Sequence, residues 1–205
     1  MDGTKYNKDY YEHGVEKRVS GYQDYHWMPT RSYPEAIEIK KCFNHKVGSI
    51  IEIGSAKGFL VHALRQLGYD AYGEDISEYA VENAFEPVKP YISLPTKEHA
   101  DLVICKDILE HVPEDEIDDF LINIKKKCAR YLFAVIPLGD NNLFRIREYE
   151  LDITHVLKKD EDWWINKFRE HGFVLEDFNY SFGEMKRKWV EDFPHGNGFF
   201  ILSRY

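Results

Sequence analysis

The stretch Ser49-Ile50-Ile51-Glu52-Ile53-Gly54-Ser55-Ala56-Lys57-Gly58, running on into Phe59-Leu60-Val61-His62-Ala63-Leu64, decides the fold. It reads as a short apolar strand, a turn of small residues and a helix. Gly54, Ser55, Ala56 and Gly58 keep the turn narrow and let backbone N–H groups approach a ligand. Glu52, just before the first glycine, disfavours a phosphate and favours a cation such as an ammonium group. The turn has no G-x-G-x-x-G, so it is a poor dinucleotide fingerprint.

Strands and helices alternate beyond it. Gly68 to Ser77 reads as a second strand ending in acids. In an open α/β sheet a carboxylate at this place accepts hydrogen bonds from ribose hydroxyls. Asp75 is the expected ribose ligand, with Glu74 as its rival; Asp75 or Ser77 also suits the cap of a helix from Glu78 to Phe85. Lys89 to Leu94 is a short third strand among prolines, and Ala100 to Lys106 a clear fourth. A helix from Glu114 to Cys128 has acids in its first turn and Lys125, Lys126 and Lys127 at its end, as the helix dipole favours; the lysines read as a solvated helix end. Tyr131 to Ile136 is a fifth strand, stopped by Pro137. A helix from Asp160 to Glu170 stops at Gly172, and strands Phe173 to Tyr180 and Gly198 to Ser203 close the chain. Strands this continuously apolar belong to a parallel sheet covered on both faces.

The pattern Glu52-x-Gly54-x-x-x-Gly58, with Gly73-x-Asp75-x-Ser77 and this element order, resembles class I S-adenosylmethionine-dependent methyltransferases over about residues 46–205. Ala56 stands where such families often carry another glycine. The resemblance implies a Rossmann-like α/β fold: a seven-stranded, mostly parallel sheet with an antiparallel last strand and helices on both faces. It implies S-adenosylmethionine at the first turn. Gly54, Ser55 and Gly58 would pass its methionine end, Glu52 would face its ammonium, Asp75 would hold the ribose, and Ile76 and Lys106 would line the site.

The densest chemistry is Asp107-x-x-Glu110-His111, followed at a distance by His155 in Thr154-His155-Val156. Positions i, i+3 and i+4 of a helical turn share a face, so two carboxylates and an imidazole are expected to converge. The layout resembles metal-dependent O-methyltransferases with an acid-x-x-Glu-His motif, such as those acting at the 3′ end of small RNAs and in ubiquinone biosynthesis. That resemblance implies that Asp107, Glu110, His111 and His155 hold a divalent ion, Mg²⁺, Mn²⁺ or Fe²⁺, with two histidines suiting Mn²⁺. Leu109-Glu110-His111-Val112-Pro113 also resembles metal-free methyltransferases, in which His111 or His155 would be a general base, Glu110 would be structural and Asp107 a helix cap.

The chain of 205 residues suits one domain, with residues 1–47 as an aromatic-rich cap or lid and 48–205 as the catalytic core. Tyr6, Tyr10, Tyr11, Tyr22, Tyr25, Trp27 and Tyr33 crowd that first segment, and a helix from Glu35 to Phe43 is expected behind Pro34. Arg31 there suits a carboxylate, and the sequence does not place it. A net charge of −9 opposes wrapping nucleic acid, and no apolar run reaches the length of a membrane span. The one short basic run, Met185 to Trp189, reads as a solvated face. Cys42, Cys105 and Cys128 lack metal spacing and fit buried thiols in a reducing, cytoplasmic setting. A metal suits an acceptor with adjacent hydroxyls, and the chain looks like compact methyltransferases of glycan assembly. The expected acceptor is a sugar hydroxyl of a glycan or its precursor, a deoxyhexose such as rhamnose among them. A phenol or quinol acceptor, and a non-catalytic binding module, are the alternatives.

Overall fold

In the computed structural model, which describes residues 2–96 and 98–205, seven strands form one sheet in the order β3-β2-β1-β4-β5-β9-β8. They are β1 (Ser49–Ile53), β2 (Asp70–Glu74), β3 (Ile92–Ser93), β4 (Ala100–Lys106), β5 (Cys128–Pro137), β8 (Phe173–Asn179) and β9 (Asn197–Arg204). A separate small hairpin joins β6 (Gly139–Asp140) to β7 (Leu143–Phe144). The first five sheet strands pair in parallel, and β9 runs antiparallel to both β5 and β8. This is the expected sheet.

Two apolar clusters sandwich it. On one face α3 (Pro29–Phe43) and α4 (Phe59–Gln66) bury Ile39, Phe43, Val61 and Leu64 against Ile50, Leu102 and Phe133. On the other, α6 (Ile117–Lys127) and α7 (Glu161–Glu170) bury Leu121, Ile124, Trp164 and Phe168 against Val103, Leu132 and Ala134. Burial on both faces is why β4 and β5 are apolar at nearly every position rather than alternating. The short helices α1 (Lys8–Glu12), α2 (Gly14–Lys17), α5 (Glu78–Glu82) and α8 (Arg187–Asp192) complete the chain. Among the described residues, no helix is long and apolar enough to cross a membrane.

The structure corrects several boundaries. Helix α3 starts at Pro29, so Pro34 lies inside it rather than opening it. Pro29 loses nothing at the first helical position, where its missing N–H has no partner to bond. The third strand shrinks to two residues because Lys89–Tyr91, built on Pro90, forms a 3₁₀ turn. Helix α6 ends at Lys127 and passes directly into β5, which is longer than expected.

Strand β1 sits between β2 and β4, so the chain leaves it in opposite directions. The crevice beyond the carboxyl ends of β1 and β4 is therefore the place where such a sheet binds ligands.

Candidate active site

The first turn is held open by backbone conformation. Gly54 (φ 75°) and Gly58 (φ 78°) both adopt left-handed backbone, and side chains press on them. A Cβ on Gly54 would lie 2.9 Å from Ile108 Cδ1, and one on Gly58 2.5 Å from Ile92 Cδ1. Ala56 takes the same left-handed region (φ 48°) without glycine's freedom, so this position carries strain. Asp75 ties the turn to the next element. Its carboxylate accepts from the Ala56 N–H at 2.7 Å and the Ser77 N–H at 2.8 Å. Ser77 caps α5 through its side chain, so the ribose candidate and the helix cap are neighbours, not the same residue.

Three cavities meet here. The first, about 590 Å³, lies beside Gly54, Asp75, Ile76, Thr96 and Ile108. Glu74 lines the same cavity, where it accepts from Thr96 Oγ1 at 2.5 Å and pairs with Lys127 at 2.9 Å. Lys127 is consequently not a solvated helix end; its side chain is largely buried. The second, a chamber of about 70 Å³, is lined by Glu52, Gly54, Ala56, Arg31, Glu35 and Lys106. One oxygen of buried Glu52 has no hydrogen-bond partner among the described residues. Burial pushes the Glu52 carboxyl up to about 8, against the pull of Lys106. Lys106 pairs with Asp107 at 3.0 Å and with Glu35 at 3.9 Å.

The third cavity, about 690 Å³, is lined by Glu110, His111, His155, Asp152, Tyr149 and Trp189 among others. Glu110 is fully buried, and neither carboxylate oxygen has a hydrogen-bond partner among the described residues. Such a group costs folding free energy unless a proton or a cation neutralises it. Ligand atoms of Glu110, His111 and His155 all lie within 4.8 Å of one another. His155 Nδ1 lies 2.7 Å from the Tyr149 carbonyl, an acceptor only, so it carries the proton and leaves Nε2 as a lone pair. His111 Nδ1 lies 2.8 Å from Thr154 Oγ1, whose hydroxyl donates to Asp152 at 2.5 Å. His111 therefore donates to Thr154, and its Nε2 too is a lone pair. Burial, with His155 adding to it, lowers the His111 imidazole to about 4, and burial lowers His155 as well. Two neutral imidazoles and one unpartnered carboxylate are a donor set for a divalent cation.

Asp107 is not the fourth member of that group. It ends β4 with left-handed backbone (φ 55°), and residues 109–111 form a 3₁₀ turn, so the shared helical face does not exist. Its carboxylate pairs with Lys106 and Lys186. Burial pushes that carboxyl up, but the two lysines outweigh burial and hold it below the usual range. Lys186 departs from the solvated reading of the basic run: it is buried and also donates to Tyr149 Oη and Asn197 Oδ1, each at 2.9 Å.

Residues of the N-terminal segment line the second and third cavities. Lys57 of the first turn pairs with Glu12 at 2.6 Å, and the Ser77 hydroxyl donates to the Tyr6 carbonyl. Tyr10 Oη donates to Asp152 at 2.8 Å across 142 residues of sequence. The sequence reading missed Tyr10, Asp152 and Thr154 as site residues. Asp152-x-Thr154 beside His155 was a usable signal, since that spacing makes the local turn in which the Thr154 N–H donates to Asp152 at 2.9 Å. The sequence marked Tyr10 only as one of the aromatics of the first segment. All three cysteines are free thiols.

A methyltransferase-domain family model matches residues 30–182. No curated protein in the comparison matches the chain. Among solved structures, magnesium protoporphyrin IX methyltransferase from Synechocystis PCC 6803 with bound S-adenosylhomocysteine is similar at TM-score 0.66 and 16% identity, covering 100% of both chains. An S-adenosylmethionine-dependent methyltransferase from Clostridium acetobutylicum ATCC 824 is similar at 0.62 and 12%, over 84% of this chain and 91% of that one. A 1,6-didemethyltoxoflavin-N1-methyltransferase from Burkholderia thailandensis reaches 0.60 and 11%, over 84% of this chain and 78% of that one. At these identities the likeness is one of fold.

Proposed function

The chain belongs to the methyltransferase-domain family, and from that premise we propose that it is an S-adenosylmethionine-dependent O-methyltransferase acting, with a divalent metal, on a sugar hydroxyl of a glycan or glycan precursor. The observation that carries the metal-assisted reading is Glu110: a buried carboxylate without a partner among the described residues, facing two imidazole lone pairs.

S-adenosylmethionine supplies a methyl group on a positive sulfonium. The chain's residues fit it. Glycine backbone at 54 and 58 gives close approach, and the unpartnered Glu52 oxygen suits the ammonium. Asp75 stands at the ribose position, while Ile76 and Ile108 line the first cavity, where an adenine would lie. Lys106 stays in the wall, holding Asp107 and Glu35 in place.

A divalent cation held by Glu110, His111 and His155 would lower the pKa of an attacking hydroxyl. Asp152 and Thr154 fix the His111 ring, and the Tyr149 carbonyl fixes His155, so both Nε2 atoms keep their aim. The sugar reading draws support from the cavity walls. Trp189 stacks on Tyr149 with ring centroids 5.5 Å apart at 23°, giving a flat aromatic face for sugar C–H groups. Asp107 and Asp152 line the same cavity and add acceptors for sugar hydroxyls.

A second reading keeps the same residues without a metal. His111, neutral and backed by Thr154 and Asp152, is built as a general base would be. One experiment separates the two: transfer of labelled methyl from S-adenosylmethionine to sugars with vicinal hydroxyls, with Mn²⁺ and with EDTA. Turnover that EDTA abolishes and Mn²⁺ restores supports the metal; turnover indifferent to EDTA supports His111 as base. Absence of transfer to any sugar, with transfer to a quinol, overturns the sugar assignment.

A further inference from the structure

Asp152 is buried beside Glu110, His111 and His155, and its two oxygens have different partners. Oδ1 accepts from the Thr154 N–H at 2.9 Å and from the Thr154 hydroxyl at 2.5 Å, the hydroxyl that orients His111. Oδ2 accepts from Tyr10 Oη at 2.8 Å and lies 3.9 Å from His155 Nε2. A carboxylate has no proton to give, so the Tyr10 hydroxyl is the donor. Among the described residues, Tyr10 is the one hydrogen-bond donor to Oδ2.

Tyr10 comes from the far end of the chain, and its place is fixed independently of Asp152. It lies on α1, with its ring edge-on to Tyr6 at 5.1 Å and to Tyr11 at 5.2 Å. The segment around it is tied to Ser77 through the Tyr6 carbonyl, and Glu12 ties it to Lys57 at 2.6 Å and to Tyr79 Oη at 3.0 Å. The hydroxyl is therefore a held donor. Removing it leaves a buried carboxylate oxygen without a donor, which costs free energy. His155 Nε2 is close by, and a small rotation of the carboxylate brings Oδ2 within reach of it. A neutral imidazole has one ring proton. Pairing with Oδ2 would put that proton on Nε2, in place of the Nδ1 proton that the Tyr149 carbonyl now accepts, and the Nε2 lone pair would be lost. The same rotation would loosen Thr154 and the His111 ring it holds.

We infer that Tyr10 is a positioning residue of the site: its hydroxyl holds Asp152 to Thr154 and away from His155 Nε2, so that both imidazoles keep Nε2 unprotonated. The inference rests on the site proposed in the preceding subsection. It holds for a metal and for His111 as a base alike, since each needs an Nε2 lone pair. It makes the N-terminal segment part of the site's chemistry as well as of its wall.

The test is nitrogen-15 NMR of the histidine side chains in the full, metal-free chain at about pH 8, well above the usual imidazole range. Protonated and unprotonated ring nitrogens resonate far apart, so the spectrum reads each tautomer directly. The wild type should carry the proton on Nδ1 in both His111 and His155. Tyr10→Phe keeps the ring packing and removes only the hydroxyl. It should show the Nε2–H form of His155, and its Mn²⁺ affinity should fall by about 10- to 100-fold with S-adenosylhomocysteine affinity unchanged. Tyr79→Phe loosens the same segment at Glu12 without touching Asp152, and should keep the wild-type tautomers. Wild-type tautomers in Tyr10→Phe would overturn the inference. So would a Tyr79→Phe spectrum shifted as far as that of Tyr10→Phe, which would assign the effect to docking of the segment. A wild type with the proton on Nε2 of either ring would overturn it outright. A wild type that binds no Mn²⁺ removes the metal reading of the preceding subsection, and the tautomers still decide the role of Tyr10.

Discussion

Glu110 Oε1 lies 4.0 Å from His155 Nε2, too far to hydrogen-bond, and neither atom has a hydrogen-bond partner among the described residues. Two acceptors facing each other across such a gap need something positive between them. Burial, and the nearby charge of Asp107, push the Glu110 carboxyl above its usual range, so a proton is one answer and a divalent cation the other. The site is therefore costly to the empty chain. Glu110→Gln should lower kcat/KM by more than about 100-fold while leaving the melting temperature of the metal-free chain unchanged or higher. Calorimetric melting beside a methyl-transfer assay checks both halves. A variant that loses activity and stability together would mark Glu110 as structural.

Thr154 acts through His111 rather than on a ligand. Its hydroxyl accepts from His111 Nδ1 at 2.8 Å and donates to Asp152 at 2.5 Å. Thr154→Val keeps the shape and removes both bonds, freeing the ring to turn. The expected result is a loss of about 10- to 100-fold in metal affinity with S-adenosylhomocysteine affinity unchanged. Parallel titrations of Mn²⁺ and of the nucleoside read the two affinities apart, and a loss of both would place Thr154 in the fold instead.

Glu52 gives the site a pH dependence whose sign is fixed. Its carboxyl is raised to about 8 in the cofactor-free chain, chiefly by burial. An ammonium partner favours the ionised form and lowers that pKa. Binding below pH 8 therefore releases a proton, and affinity for S-adenosylhomocysteine should rise with pH from about 6 to about 8 and then level off. Glu52→Gln should flatten the curve. An affinity that falls with pH over that window would contradict the contact.

The first turn was legible because its chemistry is local. Glycines at 54 and 58 and an acid at 75 follow from the backbone path alone, and the seven-stranded sheet follows from apolar runs between helices. Glu110, His111 and His155 were also visible as residue types. What failed was the geometry between them: the sequence suggested a helical face, and the chain makes a left-handed residue at Asp107 and then a 3₁₀ turn. Lys186 misled for a related reason. A run of basic residues looks solvated until a half-buried carboxylate is found 79 residues earlier in the chain, and no local pattern announces Asp107 as its partner.

Ala56 offers a test of strain rather than of chemistry. An L-residue in the left-handed region costs about 1–2 kcal/mol, of which glycine returns part through its looser unfolded state. Ala56→Gly should therefore stabilise the chain by up to about 1 kcal/mol, a rise in melting temperature of about 2–4 °C for a chain of this size. Thermal melting checks it; a lower melting temperature would show that the Ala56 methyl contributes more by packing beneath the N-terminal tyrosines than its backbone costs.

The central claim is a metal-assisted methyltransferase, and titration calorimetry of Mn²⁺ into the chain saturated with S-adenosylhomocysteine tests it most directly. One ion per chain should bind, and the isotherm should vanish in His111→Ala while S-adenosylhomocysteine still binds that variant. S-adenosylhomocysteine binding with no metal isotherm in the wild type would contradict the metal and return the chemistry to His111 as a base.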